Sequence, residues 1–564
     1  MTKLLETLHL PEDVRNLSIE EQKTLADEVR ARIIEVCSVR GGHLASSLGA
    51  VELIVALLHV FDPVEDDVLF DVGHQAYPFK ILTGRNARFD TLRRSGGVSG
   101  FPDMQESPCD KLVAGHAGNA LAWGCGYARA RELQHTHQHI VSVLGDGVLA
   151  NGLTLESFNN VAASGKQIIV INDNDFSISP SVGSFWGYLA SLRSRSFDGE
   201  ISVEDSPFAI YGVDYIGCVD GHDLAQLGEA LSSACSAPRS VVVHVKTVKG
   251  KGYEAGENDP VAYHSFDPSS EDSFSLTAGK ALVELAKADP SVVVVTAAMG
   301  HGCGMDEFAK AYPDRFFDVG IAEGHALSTA CALAARGLKP FVAMYSTFLQ
   351  RGYDQLVHDI GLSGLPVTVL CDRSGLCGGD GETHHGLLDG VMTLPESLTL
   401  FSPSCQEELE GMLHYALTAG KPLVIRYPKG SAHLTGCNAD YERWQILREG
   451  TDAVLVASGA EMVKTALQVA DVASWMEESV AVVNARCGLL DLDLMEQFEG
   501  KPIYCLEESL TSGGLGERLA AHIAGVLYRG VDHAKHGDNQ ELRYKAGVTA
   551  GLIRQWMQGV DDEA

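Results

Sequence analysis

Short apolar runs rich in valine and isoleucine recur along the chain, and most end in turn residues. HIVSVLGDG (139–147) and KQIIVINDN (166–174) come first. SVVVVTA, PFVAMYS, PVTVLCD and PLVIRYP follow between 291 and 428, and DAVLVASG, VAVVNAR and PIYCLEE between 452 and 508. Runs with no polar alternation, separated by longer segments of helical character, predict strands buried on both faces of a parallel sheet. VELIVALLHVF (51–61) is apolar nearly all round and predicts a buried helix. VKGKGYEAGENDPVAYHSFDPSSEDSF (248–274) is loop-like, rich in Gly, Pro and Ser, and reads as a linker that carries chemistry. The pattern predicts an α/β protein of three doubly wound domains: 1–262 with a connecting linker to about 275, then 276–435, then 436–564.

Composition narrows the function classes. The chain has 564 residues, 45% of them hydrophobic, which is enough for several buried cores. The formal net charge of −32 argues against nucleic acid as a partner, because a basic face is the usual footprint of such binding. A phosphate-bearing ligand must then be held by local groups or by a metal. The 13 cysteines show no CxxC pair and no framework spacing, which favours a reducing compartment. The start, MTKLLETLHLPEDVRNLS, lacks the apolar run of a signal peptide, and no apolar segment is long enough to span a bilayer. The expectation is a soluble cytoplasmic protein with no nucleic-acid or membrane partner.

The first two strands carry the sharpest signal. One runs into Gly145-Asp146-Gly147, the other into Asn172-Asp173-Asn174. Ligands of open parallel sheets bind beyond the carboxyl ends of strands. A carboxylate and an amide oxygen placed there are hard donors suited to Mg²⁺ or Ca²⁺. Gly145 and Gly147 allow backbone to approach a phosphate, and a helix following Gly147 would aim its N-terminal N–H groups at the anion. Either tripeptide alone is an ordinary turn; the pair, each half closing an apolar strand, points to a metal–diphosphate cradle. GDG followed at 174 by Asn is the thiamine diphosphate motif, here GDGVLANGL…INDNDFSIS.

The likeness extends over most of residues 35–435. GGHLASSLGAVELIVALLHVFD, DVGHQAYPFKILTGR, KGKGYEAGENDPVAYH, FFDVGIAEGHAL, YSTFLQRGYDQLVHDI, DRSGLCGGDGETHHGLLD and RYPKG resemble the 1-deoxy-D-xylulose-5-phosphate synthase family, with transketolase as the wider relative. The resemblance implies a transketolase-like fold of diphosphate-binding, pyrimidine-binding and C-terminal domains, a homodimer, and thiamine diphosphate with Mg²⁺ as cofactors. It implies a transferase that decarboxylates pyruvate and joins the two-carbon fragment to D-glyceraldehyde 3-phosphate. The products would be 1-deoxy-D-xylulose 5-phosphate, a precursor for isoprenoid and thiamine biosynthesis, and carbon dioxide.

By matching motif positions, the resemblance assigns the metal to Asp146, Asn174 and the Phe176 carbonyl. It lines the cofactor with His74, Gly115, His116, Ala117, Gly147, Val148 and Tyr253. Glu323 would bond the aminopyrimidine and Phe348 would stack on it. An isolated Glu is usually solvated; the apolar strand before Glu323 and the small-residue helix after it predict partial burial. His43, His74, His264 and His384 fall in matched motifs and would serve proton transfer, although most of the 21 histidines must be structural. Asp380 would orient a neighbour or the substrate. Arg373 and Arg426, each at the end of an apolar run, would anchor the aldehyde phosphate, with Tyr345 and Ser46 in the same pocket.

The chain also departs from the family pattern. GHAGNALA (115–122) stands where a Ser-rich GHSSTS is usual, AMGHGCGM (298–305) replaces AMREGSGM, and Gly324 replaces a glutamine. The 185–212 segment is shorter than usual. These changes leave the metal ligands, Glu323 and the two arginines in place, so they bear on substrate choice and gating. The alternatives are a related carboligase using another donor or phosphorylated aldehyde, and a catalytically silent binding protein. The second should have lost Glu323 or the Asp146–Asn174 pair, and this chain has lost neither.

Overall fold

The computed structural model describes residues 3–176, 181–197, 206–264, 272–393 and 397–559. The chain divides into two compact units. One is Met1–Pro268 with Gly320–Ala322; the other is Ser269–Val319 with Glu323–Ala564. Part of the shortened segment, 198–205, and part of the linker, 265–271, lie outside the described residues.

The first unit holds one parallel sheet built from β1 (Asp67–Phe70), β2 (Ile140–Gly145), β3 (Ile168–Asp173), β4 (Asp214–Asp220) and β5 (Val241–Lys246), in the order β1-β2-β3-β5-β4. Why its strands are continuously apolar is visible in their burial. Val141 and Val143 of β2, with Ile168 and Val170 of β3, enter the core cluster that contains the helix Val51–Val60. Ile140 and Leu144, with Ile169 and Ile171, enter a second cluster with Phe158 and Val161 of the helix Gly152–Ser164. Alternate residues thus feed two cores on opposite faces, which is the doubly wound arrangement.

The second unit holds two sheets. β6 (Val292–Thr296), β7 (Phe316–Asp318), β8 (Lys339–Tyr345), β9 (Thr368–Asp372), β10 (Thr399–Phe401) and β11 (Leu423–Tyr427) form a parallel sheet in the order β10-β11-β9-β8-β6-β7. β12 (Gln445–Arg448), β13 (Ala453–Ser458), β14 (Val480–Asn484), β15 (Ile503–Glu507) and β16 (Leu527–Arg529) form the other, in the order β12-β14-β13-β15-β16. Its edge strand β12 runs antiparallel to β14 with a register shift, and all four of its residues are only half-buried. Arg486 and Glu408 form a fully buried ion pair at 2.9 Å within this unit. Asn438, Asp440 and Arg443 supply further oxygen acceptors to the guanidinium, so the buried charge is surrounded by partners.

Two local expectations are corrected. The segment after Gly147 is not yet helix: a 3₁₀ turn, Asp146–Ala150, comes first. The helix begins at Gly152, and the Asn151 side chain accepts the Leu153 N–H at 3.1 Å, occupying a donor that was expected to face an anion. The linker is also not wholly irregular, since Glu254–Asn258 forms a short helix.

Candidate active site

In the first unit, register brings the two tripeptides to one sheet edge. Gly145 pairs with Asn172, so Asp146 and Asn174 leave neighbouring strands one and two residues beyond the last shared rung. Asp146 is buried and accepts one hydrogen bond, from Ser181 Oγ at 3.0 Å. Burial, and then the charge of Asp173, push its carboxyl up to about 7. Asn174 Oδ1 accepts the Phe176 N–H at 3.1 Å, and Asp175 holds a left-handed φ of 69° that turns the chain there.

Around this edge lie groups that burial drives towards neutrality. His74 Nδ1 is buried without a hydrogen-bond partner. Desolvation, helped by the charge of Lys249, pushes its imidazole down to about 3. Lys249 is pushed down to about 7 by burial, opposed by Asp146, and its ammonium stands 5.4 Å from the Phe176 ring centroid. His43, His74 and His264 form a triangle of rings with centroids 5.6–6.4 Å apart. Ser46 Oγ lies 3.2 Å from His264 Nδ1. Arg93 Nη2 lies 3.0 Å from His43 Nδ1. Arginine can only donate, so His43 Nδ1 accepts and the neutral ring carries its proton on Nε2.

The Gly115–Ala117 loop is set by a buried carboxylate. Asp71 accepts the Gly118 N–H at 2.8 Å and the Ala120 N–H at 3.0 Å. Gly118 has φ 92°, and a Cβ there would lie 2.2 Å from Asn151 Oδ1, so no other residue fits. Within the loop Ala117 is buried and His116 half-buried. Val148 is buried, and Tyr253 packs edge-on against Tyr263 at 5.5 Å.

The second unit gathers the other residues read from the sequence. Glu323 opens the helix Glu323–Ala335 and is 3% exposed. Arg351 Nη1 reaches its two carboxylate oxygens at 3.2 and 3.4 Å. Burial raises the Glu323 pKa and Arg351 opposes the rise. Tyr345, Asp372 and Tyr427 share one rung across β8, β9 and β11, which puts Arg373 and Arg426 at the same edge. The Arg373 guanidinium lies 3.9 Å over the Tyr345 ring and 3.4 Å from Asp380 Oδ2. Phe348 stacks on Tyr345 at 5.5 Å, and His384 meets Phe348 edge-on at 5.5 Å. Arg426 is buried; its Nη2 binds Asp389 Oδ1 and the Glu508 carbonyl, both at 3.0 Å, while its Nε has no partner.

Every residue singled out in the sequence is therefore placed: His43, Ser46, His74, Gly115–Ala117, Asp146–Val148, Asn174, Phe176, Tyr253 and His264 in the first unit, the rest in the second. Sequence reasoning missed Arg93, Lys249 and Arg351. Lys249 and Arg351 stood inside quoted motifs, KGKGY and FLQRGY, but nothing in the sequence marks either cation as buried beside an acid.

Comparison with known proteins bears on identity. The family model described as 1-deoxy-D-xylulose-5-phosphate synthase matches residues 5–204 and 198–247. The transketolase pyrimidine-binding domain matches 273–433, and the transketolase C-terminal domain 442–537. A 1-deoxy-D-xylulose-5-phosphate synthase of Clostridium botulinum is 38% identical over 582 residues, covering 94% of both chains. One of Thermus thermophilus is 39% identical over 98% of both. Among solved structures, transketolase from Leishmania mexicana aligns with a TM-score of 0.46 at 17% identity, covering 96% of this chain and 97% of that one. Identity to the named synthases over nearly the whole length, with the three domain matches in sequence order, makes the conclusion plain: the chain belongs to the 1-deoxy-D-xylulose-5-phosphate synthase family.

Proposed function

We propose that the protein is a thiamine diphosphate- and Mg²⁺-dependent transferase that condenses pyruvate with D-glyceraldehyde 3-phosphate to 1-deoxy-D-xylulose 5-phosphate and carbon dioxide. The single observation that carries this is the match to named synthases over nearly the full length of both chains. In the cell we place it in the cytoplasm, as a homodimer that feeds isoprenoid and thiamine biosynthesis. Among the described residues no helix is long and apolar enough to cross a membrane. The domain boundaries we assign are 1–262, 276–435 and 436–564.

The first unit fits the metal and the diphosphate. Asp146 is a buried carboxylate with one hydroxyl partner, a group that a divalent cation would hold ionised. Among the described residues no group of three His, Cys, Asp or Glu is placed to hold a metal ion. A site here needs amide and carbonyl oxygens, and Asn174 and the Phe176 carbonyl are of that kind. Lys249 supplies a buried amine that a bound anion would hold protonated, and the orphaned His74 Nδ1 is a polar atom in need of a partner. Gly115–Ala117, Gly147, Val148 and Tyr253 complete the lining.

Bound thiamine diphosphate supplies the electron sink that decarboxylation of pyruvate requires. The chain's own groups do the rest. Glu323, held by Arg351 and desolvated, presents a carboxyl to the aminopyrimidine. Phe348 offers its ring to the same heterocycle. Arg373, held on Tyr345, is the planar fork for the aldehyde phosphate, and Arg426 keeps one N–H to offer. His43, His264 and His384 move protons at the substrate oxygens, and Asp380 orients Arg373.

The test is incubation of the purified protein with thiamine diphosphate, Mg²⁺, pyruvate and D-glyceraldehyde 3-phosphate, with products identified by NMR and mass. Glu323→Ala runs beside it. Deoxyxylulose 5-phosphate absent from the variant is the expected result. Turnover of another donor–acceptor pair, with none of this one, would refute the proposal.

A further inference from the structure

None of these roles uses the helix Ser184–Phe197, yet one of its side chains closes on both neighbours of Asn174. Arg193 donates through Nη1 to Asp173 Oδ2, and through Nη2 to Asp175 Oδ1 at 2.5 Å. One planar guanidinium thus spans the residue between those two carboxylates. Each carboxylate has a second tether from β5: His244 Nε2 lies 2.9 Å from Asp173 Oδ2, and Lys246 Nζ donates to Asp175 Oδ2. Tyr215 in β4 lies 2.8 Å from the other nitrogen of His244, so the chain of contacts runs back into the sheet. The Arg193 side chain is 14% exposed and Asp173 fully buried, so this is not a solvated surface pair of negligible worth.

The turn needs such a hold. Asp175 has a φ of 69°, a conformation uncommon outside glycine, which aspartate tolerates better than most residues but which its surroundings still help to hold. Ser181, just before the helix, bonds the other proposed ligand: its Oγ donates to Asp146, and its N–H donates to the Asp175 carbonyl at 3.0 Å. Two of the three proposed metal ligands, Asp146 and Asn174, are therefore steadied from residues 181–193.

We propose that Arg193 is a positioning residue for the metal, fixing the Asp173–Asn174–Asp175 turn so that the Asn174 amide oxygen is presented as a ligand. This rests on the metal reading given above. Lysine cannot replace the fork, because one ammonium on a flexible stem does not hold two carboxylates in a fixed plane.

The experiment is calorimetric titration of Mg²⁺ into the full-length protein with excess thiamine diphosphate, for wild type, R193K, R193M and D146N. The thermal midpoint without metal or cofactor is measured in parallel. Outer partners of metal ligands typically contribute about 10–100-fold in affinity. R193M is expected to weaken Mg²⁺ by about that factor, and R193K, the variant least at risk of misfolding, by at least about threefold. The loss should appear in the half-saturating Mg²⁺ concentration rather than in kcat at saturation. Unchanged Mg²⁺ affinity in R193K and R193M beside a weakened D146N would overturn this inference alone, whatever the midpoints do. Unchanged affinity in D146N would overturn the metal reading and this inference with it.

Discussion

Asp146, His74 and Lys249 in the first unit are ionisable groups that burial pushes towards their neutral forms, to about 7, about 3 and about 7. Glu323 and Arg426 in the second are buried and Arg373 half-buried, and each has a counter-charge of its own: Arg351, Asp389 and Asp380 respectively. Desolvation acts on both sets. What differs is the contact: Asp146 accepts from a hydroxyl and His74 Nδ1 has no hydrogen-bond partner, whereas the second set meets opposite charges within 3.4 Å. A buried carboxylate held by a hydroxyl is suited to receive a cation from outside. A site that closes its pairs keeps its side chains fixed before any ligand arrives.

The comparison breaks most visibly if Glu323 is not a functional acid. Glu323→Gln preserves shape and the Arg351 neighbourhood while removing the charge. Positioned acid–base groups contribute about 10²–10⁴-fold, so kcat should fall within that range. Steady-state assays at saturating cofactor check this; a loss under about threefold, far below that range, would make the Glu323–Arg351 pair purely structural.

Next in size is the stability of the closed pairs. Arg426→Met leaves Asp389 buried, with the Ser346 and Ser374 hydroxyls and the Gly390 N–H as its remaining hydrogen-bond donors among the described residues. Uncompensated buried charges typically cost about 3–5 kcal/mol. Denaturant unfolding without cofactor should show a loss of that order. Asp146→Asn should do the reverse for the first unit, holding or raising the apo midpoint, because it removes a buried carboxylate whose charged form is penalised.

The smallest effect is a pH dependence. His74 is neutral in the fold down to about pH 3, whereas an unfolded histidine titrates near its ordinary 6.5. Between those values the unfolded chain binds one more proton, so this group's stability contribution is present above 6.5 and lost as pH falls. The slope is about 1.4 kcal/mol per pH unit once below 6.5, or about 1.4 kcal/mol between pH 7.5 and 5.5. Unfolding of His74→Gln should lose that much less than wild type over the same interval, read as the difference in denaturant midpoints.

Which parts of this were visible beforehand follows from range. The strands that close on the sites were legible because burial on two faces forces continuous apolar runs, and Asp146 and Asn174 were legible because they terminate such runs. Short edge strands with no buried residue, such as β7, β12 and β16, carry no such pattern. Nor do lone cations whose partners are distant in sequence. Arg351 is 28 residues from Glu323, and Arg93 is 50 from His43. A single Lys or Arg reads as solvated by default, and only the fold shows that Lys249 is not. The late start of the helix at Gly152 depended on Asn151, a capping residue whose competition with the preceding turn is not decided by sequence pattern.

The most direct measurement is calorimetric binding of thiamine diphosphate with and without Mg²⁺ to wild type, Asp146→Asn and Arg373→Met. The account predicts Mg²⁺-dependent binding that is lost in Asp146→Asn and kept in Arg373→Met, since Asp146 is assigned to the metal and Arg373 to the aldehyde phosphate. Equal binding by all three, or binding indifferent to Mg²⁺, would contradict it.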